Sequence, residues 1–311
     1  MFIASAAFLW GVSAALGRAV FTGKIALGSG TLRPIDPLIL SQTRTTFSLL
    51  VLFPILVISQ GWQRIKMPPR DLAQCFVLGA LGVAVSNYCY YLAIQRTNVA
   101  IAIIVQYTAP VWVLIYVVLR GQQKLTAQKV LAVAMALTGI VLVIDIVNLR
   151  PGSGFHLDAY GLIAALLASF SFAFYNVAGH GLLARHDRWR VLIWALAAAS
   201  AFWMVVNPPW KIANAHYVPA QWLFLFVFSM ISVLGAFSMY FLGLQYLDPS
   251  RAIIASCLEP VFSIVLAALL LGETLRPIQT MGIIFVLAAI VIVQRPSRSA
   301  STGMLPVEPI E

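Results

Sequence analysis

The stretch that decides the fold occurs twice: residues 102–111 read AIIVQYTAPV, and residues 252–261 read AIIASCLEPV. The same offset of 150 places residues 90–143 on residues 240–293 without a gap, and fourteen of those 54 positions are identical. Apolar segments often match by chance, but these identities include an isolated Tyr (Tyr90 on Tyr240), a Gln and a Pro within an apolar segment. The chain therefore contains two copies of one structural unit.

The composition is that of a membrane protein. The 311 residues are 61% hydrophobic and only 10% charged, whereas a soluble domain carries about 25% charged residues. Apolar segments of about 20 residues are long enough to cross the hydrocarbon core as helices. The net charge of +10 does not indicate nucleic-acid binding, because the basic residues lie in short connections where membrane topology explains them. We therefore expect an all-α polytopic membrane protein.

Ten apolar segments predict ten transmembrane helices, five in each copy. They lie at residues 2–21, 37–59, 71–95, 98–120, 126–147, 159–184, 189–206, 220–247, 250–271 and 277–294. We expect residues 1–148 to form the first five-helix repeat and 159–294 the second, with a junction loop at 149–158. Residues 295–311 are polar and contain Pro and Ser, which predicts a disordered cytoplasmic tail.

The distribution of Lys and Arg predicts that both termini are cytoplasmic. With that orientation the inner connections and the tail carry twelve basic residues, and the outer connections carry six, as the positive-inside rule requires. Because each copy has an odd number of spans, the second copy enters the membrane from the opposite side. The prediction is a pair of inverted five-helix repeats in the cell inner (plasma) membrane.

Glu259 and two equivalent prolines are the polar features expected to matter most. An ionised carboxylate costs several kcal/mol in hydrocarbon unless it is paired, and Glu259 lies well inside the ninth segment. A carboxylate that changes protonation between states would suit proton coupling, although Glu259 could equally be the structural partner of a buried Arg or of a backbone amide. Pro110 and Pro260 lack an amide hydrogen, so the carbonyls of Gln106 and Ser256 lose their helical donors. Such paired helix breaks indicate either a paired gate or binding element, or a packing kink with no ligand contact.

Ten further side chains could line a cavity between the copies near the midplane, where transporters built from repeats bind substrate. All are polar or aromatic and lie in apolar segments: Trp10, Ser13, Arg44, Asn87, Tyr90, Gln106, Tyr107, Tyr175, Asn176 and Tyr240. Apolar walls with a few oriented polar groups are typical of small-molecule sites. Arg44 is the candidate for binding a substrate carboxylate. Ordinary helix packing is the alternative for each aromatic residue, and an acidic partner or snorkelling is the alternative for Arg44.

Two motifs of the second copy, LEPVF at 258–262 and LLLGE at 269–273, resemble the EamA branch of the drug/metabolite transporter superfamily. The weaker motifs are APV at 109–111, FLWG at 8–11 and the position of Arg44 in the second segment. The resemblance covers residues 2–294 and implies ten helices in an inverted five-plus-five repeat, a central cavity and the transport, commonly the export, of small metabolites. The first copy departs from the pattern, because it has Gln122-Gln123 where the second has Gly272-Glu273.

The predicted function is secondary active transport by alternating access. The expected cargo is a small amphipathic metabolite, such as an amino acid, which is exported with a proton as the candidate coupling ion. Import by the same kind of carrier is the alternative, followed by a channel or a non-transporting membrane protein. An enzyme is not expected, because the four histidines lie in loops or at span ends. No metal ion or cofactor is expected either, since neither the histidines nor the three cysteines have ligand spacing. The expected partners are the substrate and the lipid bilayer.

Overall fold

The protein is a bundle of membrane-spanning helices. A computed structural model describes residues 1–21, 35–97, 99–144, 158–271 and 276–294, and every regular element in these ranges is helical. The predicted tail at 295–311, nearly all of the predicted junction loop and Gly272-Glu273 lie outside the described residues. The expectation of an all-α polytopic membrane protein is confirmed.

Ten helices, α1 to α10, correspond to the ten predicted segments. Their bounds are α1 Phe2–Phe21, α2 Pro37–Gln60, α3 Pro69–Val77 continuing through Leu78–Ala84 and Val85–Arg96, α4 Val99–Gln106 and Ala109–Leu119, α5 Ala127–Ile144, α6 Ala159–Leu183, α7 Arg188–Val206, α8 Pro219–Ser229 continuing through Met230–Gly235 and Ala236–Leu244, α9 Pro249–Ser256 and Leu258–Leu271, and α10 Pro277–Gln294. Short helices lie at Trp62–Ile65 and Pro209–Ala213. Within the described residues, α2 to α10 provide nine candidate spans, and α1 adds a shorter apolar stretch, Phe2–Ser13.

Four of the few acidic residues begin helices. The carboxylates of Asp36, Asp158 and Asp187 accept hydrogen bonds from backbone amides at the starts of α2, α6 and α7, at 2.7, 3.0 and 2.8 Å. Asp248 does the same at the start of α9, at 3.1 Å. The first amides of a helix have no partner within it, and an acidic N-cap satisfies one of them. These carboxylates therefore define where the spans begin.

The two halves of the chain use the same packing scheme. Helix α1 packs on α8 and α9, while its counterpart α6 packs on α3 and α4. The equivalent pairs α2 with α7 and α5 with α10 pack on each other. Both α3 and α8 contain a π-helical stretch at a corresponding place, Leu78–Ala84 and Met230–Gly235. Equivalent helices run antiparallel, because Gln42 near the start of α2 accepts a 2.8 Å hydrogen bond from Asn207, directly after α7. The architecture is a pair of inverted repeats.

Helices α5 and α10 approach each other most closely at two glycines. A Cβ atom added to Gly282 would lie 2.6 Å from the carbonyl oxygen of Gly139 and 2.9 Å from Cβ of Leu142. A Cβ added to Gly139 would lie 2.9 Å from the carbonyl oxygen of Gly282. Small residues let the backbones of membrane helices come together where the hydrophobic effect gives no help. The α5–α10 contact therefore depends on the absence of side chains at these two positions.

We expect Gly282→Ala to destabilise the protein by about 1–3 kcal/mol, because the neighbouring atoms, which are backbone atoms of α5 and Cβ of Leu142, cannot turn aside. Thermal unfolding of the purified protein in detergent measures this. The matched control is Gly181→Ala in α6, where an added Cβ meets nothing within 4 Å. That variant should unfold at or slightly above the wild-type temperature, since alanine favours a helix by about 0.5–1 kcal/mol over glycine. Equal stability of the two variants would contradict the close α5–α10 packing.

Candidate functional site

The helical hydrogen bonding of α4 and α9 is interrupted at equivalent positions. Helix α4 has a turn at Tyr107 and Thr108, and α9 has one at Cys257, each just before the buried proline of its copy, Pro110 or Pro260. The carbonyl of Ser256, which Pro260 leaves without a helical donor, receives the Tyr107 hydroxyl at 3.4 Å. A side chain of one repeat thus reaches the break in the other.

The same hydroxyl also connects to the one acidic side chain at the breaks. Tyr107 donates its one hydroxyl proton mainly to a carboxylate oxygen of Glu259, at 2.6 Å, so the 3.4 Å contact with Ser256 is the weaker of the two. Tyr107 is buried, and Glu259 is partly buried. The charge of Arg44 also acts on the Glu259 carboxylate. Sequence reasoning identified Tyr107 and Glu259 separately, and the structure brings them into direct contact.

Arg44 is buried and holds its charge among hydroxyls and rings. Its Nε donates to Oγ of Ser232 at 2.9 Å, and its terminal nitrogen donates to the Tyr91 hydroxyl at 2.5 Å. The guanidinium carbon lies 5.4 Å from the centre of the Phe228 ring. Among the described residues it makes no ion pair with Glu259 or with any other carboxylate. A buried cation without a carboxylate partner is costly, so this site favours an anionic group.

An aromatic cluster lies next to Arg44. The indole nitrogen of Trp10 donates a 3.1 Å hydrogen bond to the backbone carbonyl of Ser232. Arg44 contacts the hydroxyl of the same residue. The Trp10 ring is 5.2 Å from that of Tyr240, and Tyr240 is 5.9 Å from Tyr175. The Tyr240 hydroxyl donates to the side-chain oxygen of Asn176. Four predicted residues from α1, α6 and α8 therefore pack together.

The remaining predicted residues are less closely involved. The hydroxyl of Ser13 donates a 2.8 Å hydrogen bond to the carbonyl of Leu9 in its own helix. The side-chain amide of Asn87 donates a 2.7 Å hydrogen bond to the carbonyl of Val83, also in its own helix. Gln106 is half-buried beside the break in α4. The Tyr90 ring contacts Tyr91 at 5.4 Å. The side chains of Ser13 and Asn87 thus donate to carbonyls of their own helices, whereas Tyr90 packs on Tyr91, the residue that Arg44 contacts.

Two parts of the site were missed by sequence reasoning. Ser232 joins Trp10 to Arg44, and nothing in the sequence distinguishes it from other serines. The polar run Ser41–Thr46 around Arg44 could have been identified from the sequence, because six consecutive polar residues are unusual inside an apolar segment. Its residues other than Thr46 are buried against the bundle, which agrees with the cost of polar groups in hydrocarbon.

Comparisons with known proteins agree on one family. The model of the EamA-like transporter family matches residues 1–145 and 159–295. An uncharacterized transporter of Archaeoglobus fulgidus is 26% identical over 264 residues, covering 84% of this chain and 87% of that protein. The uncharacterized inner membrane transporter YicL of Salmonella typhimurium is 23% identical over 232 residues, covering 74% and 75%. A protein crystal structure has the same fold, with a TM-score of 0.70 at 20% identity over 96% of this chain and 99% of that one. The chain belongs to the EamA-like transporter family of multi-pass membrane transporters.

Proposed function

We propose that this transporter is a secondary active exporter of small amphipathic metabolites, amino acids or related compounds, coupled to protons through Glu259. The observation that carries the proposal is the hydrogen bond between Tyr107 and Glu259, which joins the break in α4 to the break in α9. Both termini lie in the cytoplasm, in accord with the excess of Lys and Arg in the connections on that side. The two five-helix repeats are the moving units of alternating access.

The charge of Glu259 sets the strength of the contact between the repeats. A hydrogen bond to an ionised carboxylate is about twice as strong as one between neutral groups. Ionised Glu259 therefore holds Tyr107 and keeps α4 and α9 together at their breaks. Protonation weakens the bond and allows the two helices to separate. Binding a proton on one side and releasing it on the other thus biases the movement of one repeat against the other.

Arg44 and the aromatic cluster define the kind of substrate. The buried guanidinium of Arg44, which has no carboxylate partner among the described residues, binds a substrate carboxylate. The rings of Trp10 and Tyr240 pack on each other and are buried in this structure, and in the substrate-bound state they contact the apolar part of the molecule. The carboxylate of Glu259 attracts an amino group of the substrate. An amino acid or a related zwitterion matches these three features.

Replacing Glu259 by Gln should abolish export, because the amide keeps the shape of the side chain but cannot exchange a proton. Untargeted metabolite profiling compares medium and cell extract from cells that express each variant at equal membrane abundance. With the wild type, one compound should rise outside and fall inside; with Glu259→Gln it should not. Asp187→Asn is the matched control, because it also removes one negative charge and retains an N-cap. Its profile should equal that of the wild type.

The outcomes of this comparison separate the alternatives. A compound that accumulates inside cells with the wild type would mean import. Full pH-driven flux through Glu259→Gln in proteoliposomes would exclude Glu259 as the coupling group. Movement of the compound only down its own gradient, with no response to an imposed pH gradient, would leave a facilitative carrier or a channel.

Replacing Arg44 by Gln should raise the KM for the identified substrate about tenfold or more while lowering the maximal rate less. A hydrogen bond to a charged group is worth about 1.5–3 kcal/mol, and each 1.4 kcal/mol is a factor of ten in affinity. Initial rates of uptake into proteoliposomes measure both parameters. Arg96→Gln is the control, because the Arg96 side chain is 58% exposed. A fall in folded protein with an unchanged KM would assign Arg44 a structural role instead.

A further inference from the structure

Two chain connections meet at one end of the bundle, the one between α2 and α3 and the one between α6 and α7. The indole nitrogen of Trp194, in α7, donates a 2.9 Å hydrogen bond to the carbonyl of Ile65. Asp71, near the start of α3, pairs with Arg185 at 3.2 Å and lies 2.8 Å from Nε2 of His186. One connection belongs to each repeat, so basic residues of both repeats share a surface here.

Three cations lie around the contact between Trp194 and Ile65. Arg64 and Lys66 flank Ile65 along the chain, and both are exposed. Arg190 is half-buried and precedes Trp194 by four residues in α7, so these two side chains lie on the same face of that helix. Among the described residues, none of the three cations makes an ion pair. Their positive charges are therefore available to an anion.

The nearby carboxylates do not cancel this positive charge. Residues 61–71 and 184–190 contain six Lys and Arg residues and two acidic residues. Both carboxylates are already engaged. Asp71 pairs with Arg185, and Asp187 accepts a 2.8 Å hydrogen bond from a backbone amide as the N-cap of α7. The surface that the two connections form thus has an excess of positive charge.

The same surface adjoins the lipid-facing side of the bundle. The ring of Trp62 is 6.2 Å from that of Trp194, and Trp62 is 43% exposed. Ile58, near the end of α2, is 85% exposed, and α2 is a candidate span. Tryptophan is enriched at the level of the lipid headgroups. A molecule at this place therefore meets an apolar surface on one side and positive charge on the other.

We propose that Arg64, Lys66 and Arg190 bind the headgroup phosphate of an anionic phospholipid beside Trp62 and Trp194. A guanidinium group matches a phosphate with two parallel hydrogen bonds. The lipid carries a net negative charge, because a choline or ethanolamine group would return a positive charge to a surface that already has an excess. The apolar side of α2 below the cations favours a phospholipid over a free phosphate ion. This binding does not depend on which solute the transporter moves.

The connection between α4 and α5 provides an internal control. It lies at the same end of the bundle, because α3 and α4 carry the chain across the membrane and back. It has two exposed cations, Arg120 and Lys124. The guanidinium of Arg120 lies over the ring of Tyr116 at 5.7 Å. These cations come from one connection alone, so we expect little selectivity for a phospholipid headgroup there.

Native mass spectrometry of the purified full chain in a neutral detergent tests the proposal. The protein is titrated with phosphatidylglycerol or with phosphatidylcholine that has the same acyl chains. The first phosphatidylglycerol should bind about tenfold more tightly or better than phosphatidylcholine, because several cations near a headgroup attract its net charge. This advantage should shrink as the salt concentration rises. Excess inorganic phosphate at constant ionic strength should not displace the lipid.

Two matched variants locate the binding. Arg64→Gln combined with Arg190→Gln should bring the two lipids to about equal affinity. Arg120→Gln combined with Lys124→Gln also removes two cations from this end of the bundle and should keep the wild-type preference.

Three outcomes would each overturn the proposal. They are equal affinity of the two lipids for the wild type, an equal loss of preference in both variants, and displacement by inorganic phosphate. The wild-type comparison requires no variant to fold. No readout involves transport, so a failed exporter assay would leave this test intact.

Discussion

The structure depends on one constraint: a backbone polar group in hydrocarbon must find a partner inside the protein, because no water is there to supply one. Unbroken helices meet this constraint without help. Helices α4 and α9 do not, because each contains a turn before a proline. The Tyr107 hydroxyl from the other repeat lies 3.4 Å from the carbonyl that Pro260 frees at Ser256 and 2.6 Å from the Glu259 carboxylate, and its one proton serves both acceptors. The two repeats are therefore in contact where the backbone of α9 lacks a helical hydrogen bond.

The same constraint explains where the charges lie. Several acidic residues begin helices as N-caps, where water and backbone amides support them. Arg44 and Glu259 are different, because each lies within a candidate span. Each is held by hydroxyl groups, those of Ser232 and Tyr91 for Arg44 and that of Tyr107 for Glu259. Hydroxyls stabilise a charge without neutralising it, so among the described residues neither group is held in an ion pair.

The sequence predicted the architecture well, because the architecture follows from the length of the apolar segments and from the internal repeat. Apolar length defines the spans, and the repeated stretch requires two similar units, so the helix bounds agree with the predicted segments to within a few residues. The candidate site was only partly predictable. Tyr107 and Glu259 stand out as polar residues in apolar segments, yet their contact joins positions separated by 152 residues, and no local pattern encodes it. Ser232 could not be selected from the sequence, because its role comes from where α8 packs against α1 and α2.

The two copies share the prolines at the helix breaks but differ in the side chains beside them. Pro110 and Pro260 are identical under the repeat, and they supply the same break to each half. The neighbouring positions differ: Tyr107 stands where the second copy has Cys257, and Glu259 stands where the first has Ala109. A strictly symmetric pair would place either two carboxylates or none at the breaks, and two carboxylates close together would repel each other when ionised. One donor in the first copy and one acceptor in the second give a single contact instead. The repeated backbone thus provides the same break in each half, and the contact between the breaks is made by residues that differ between the copies.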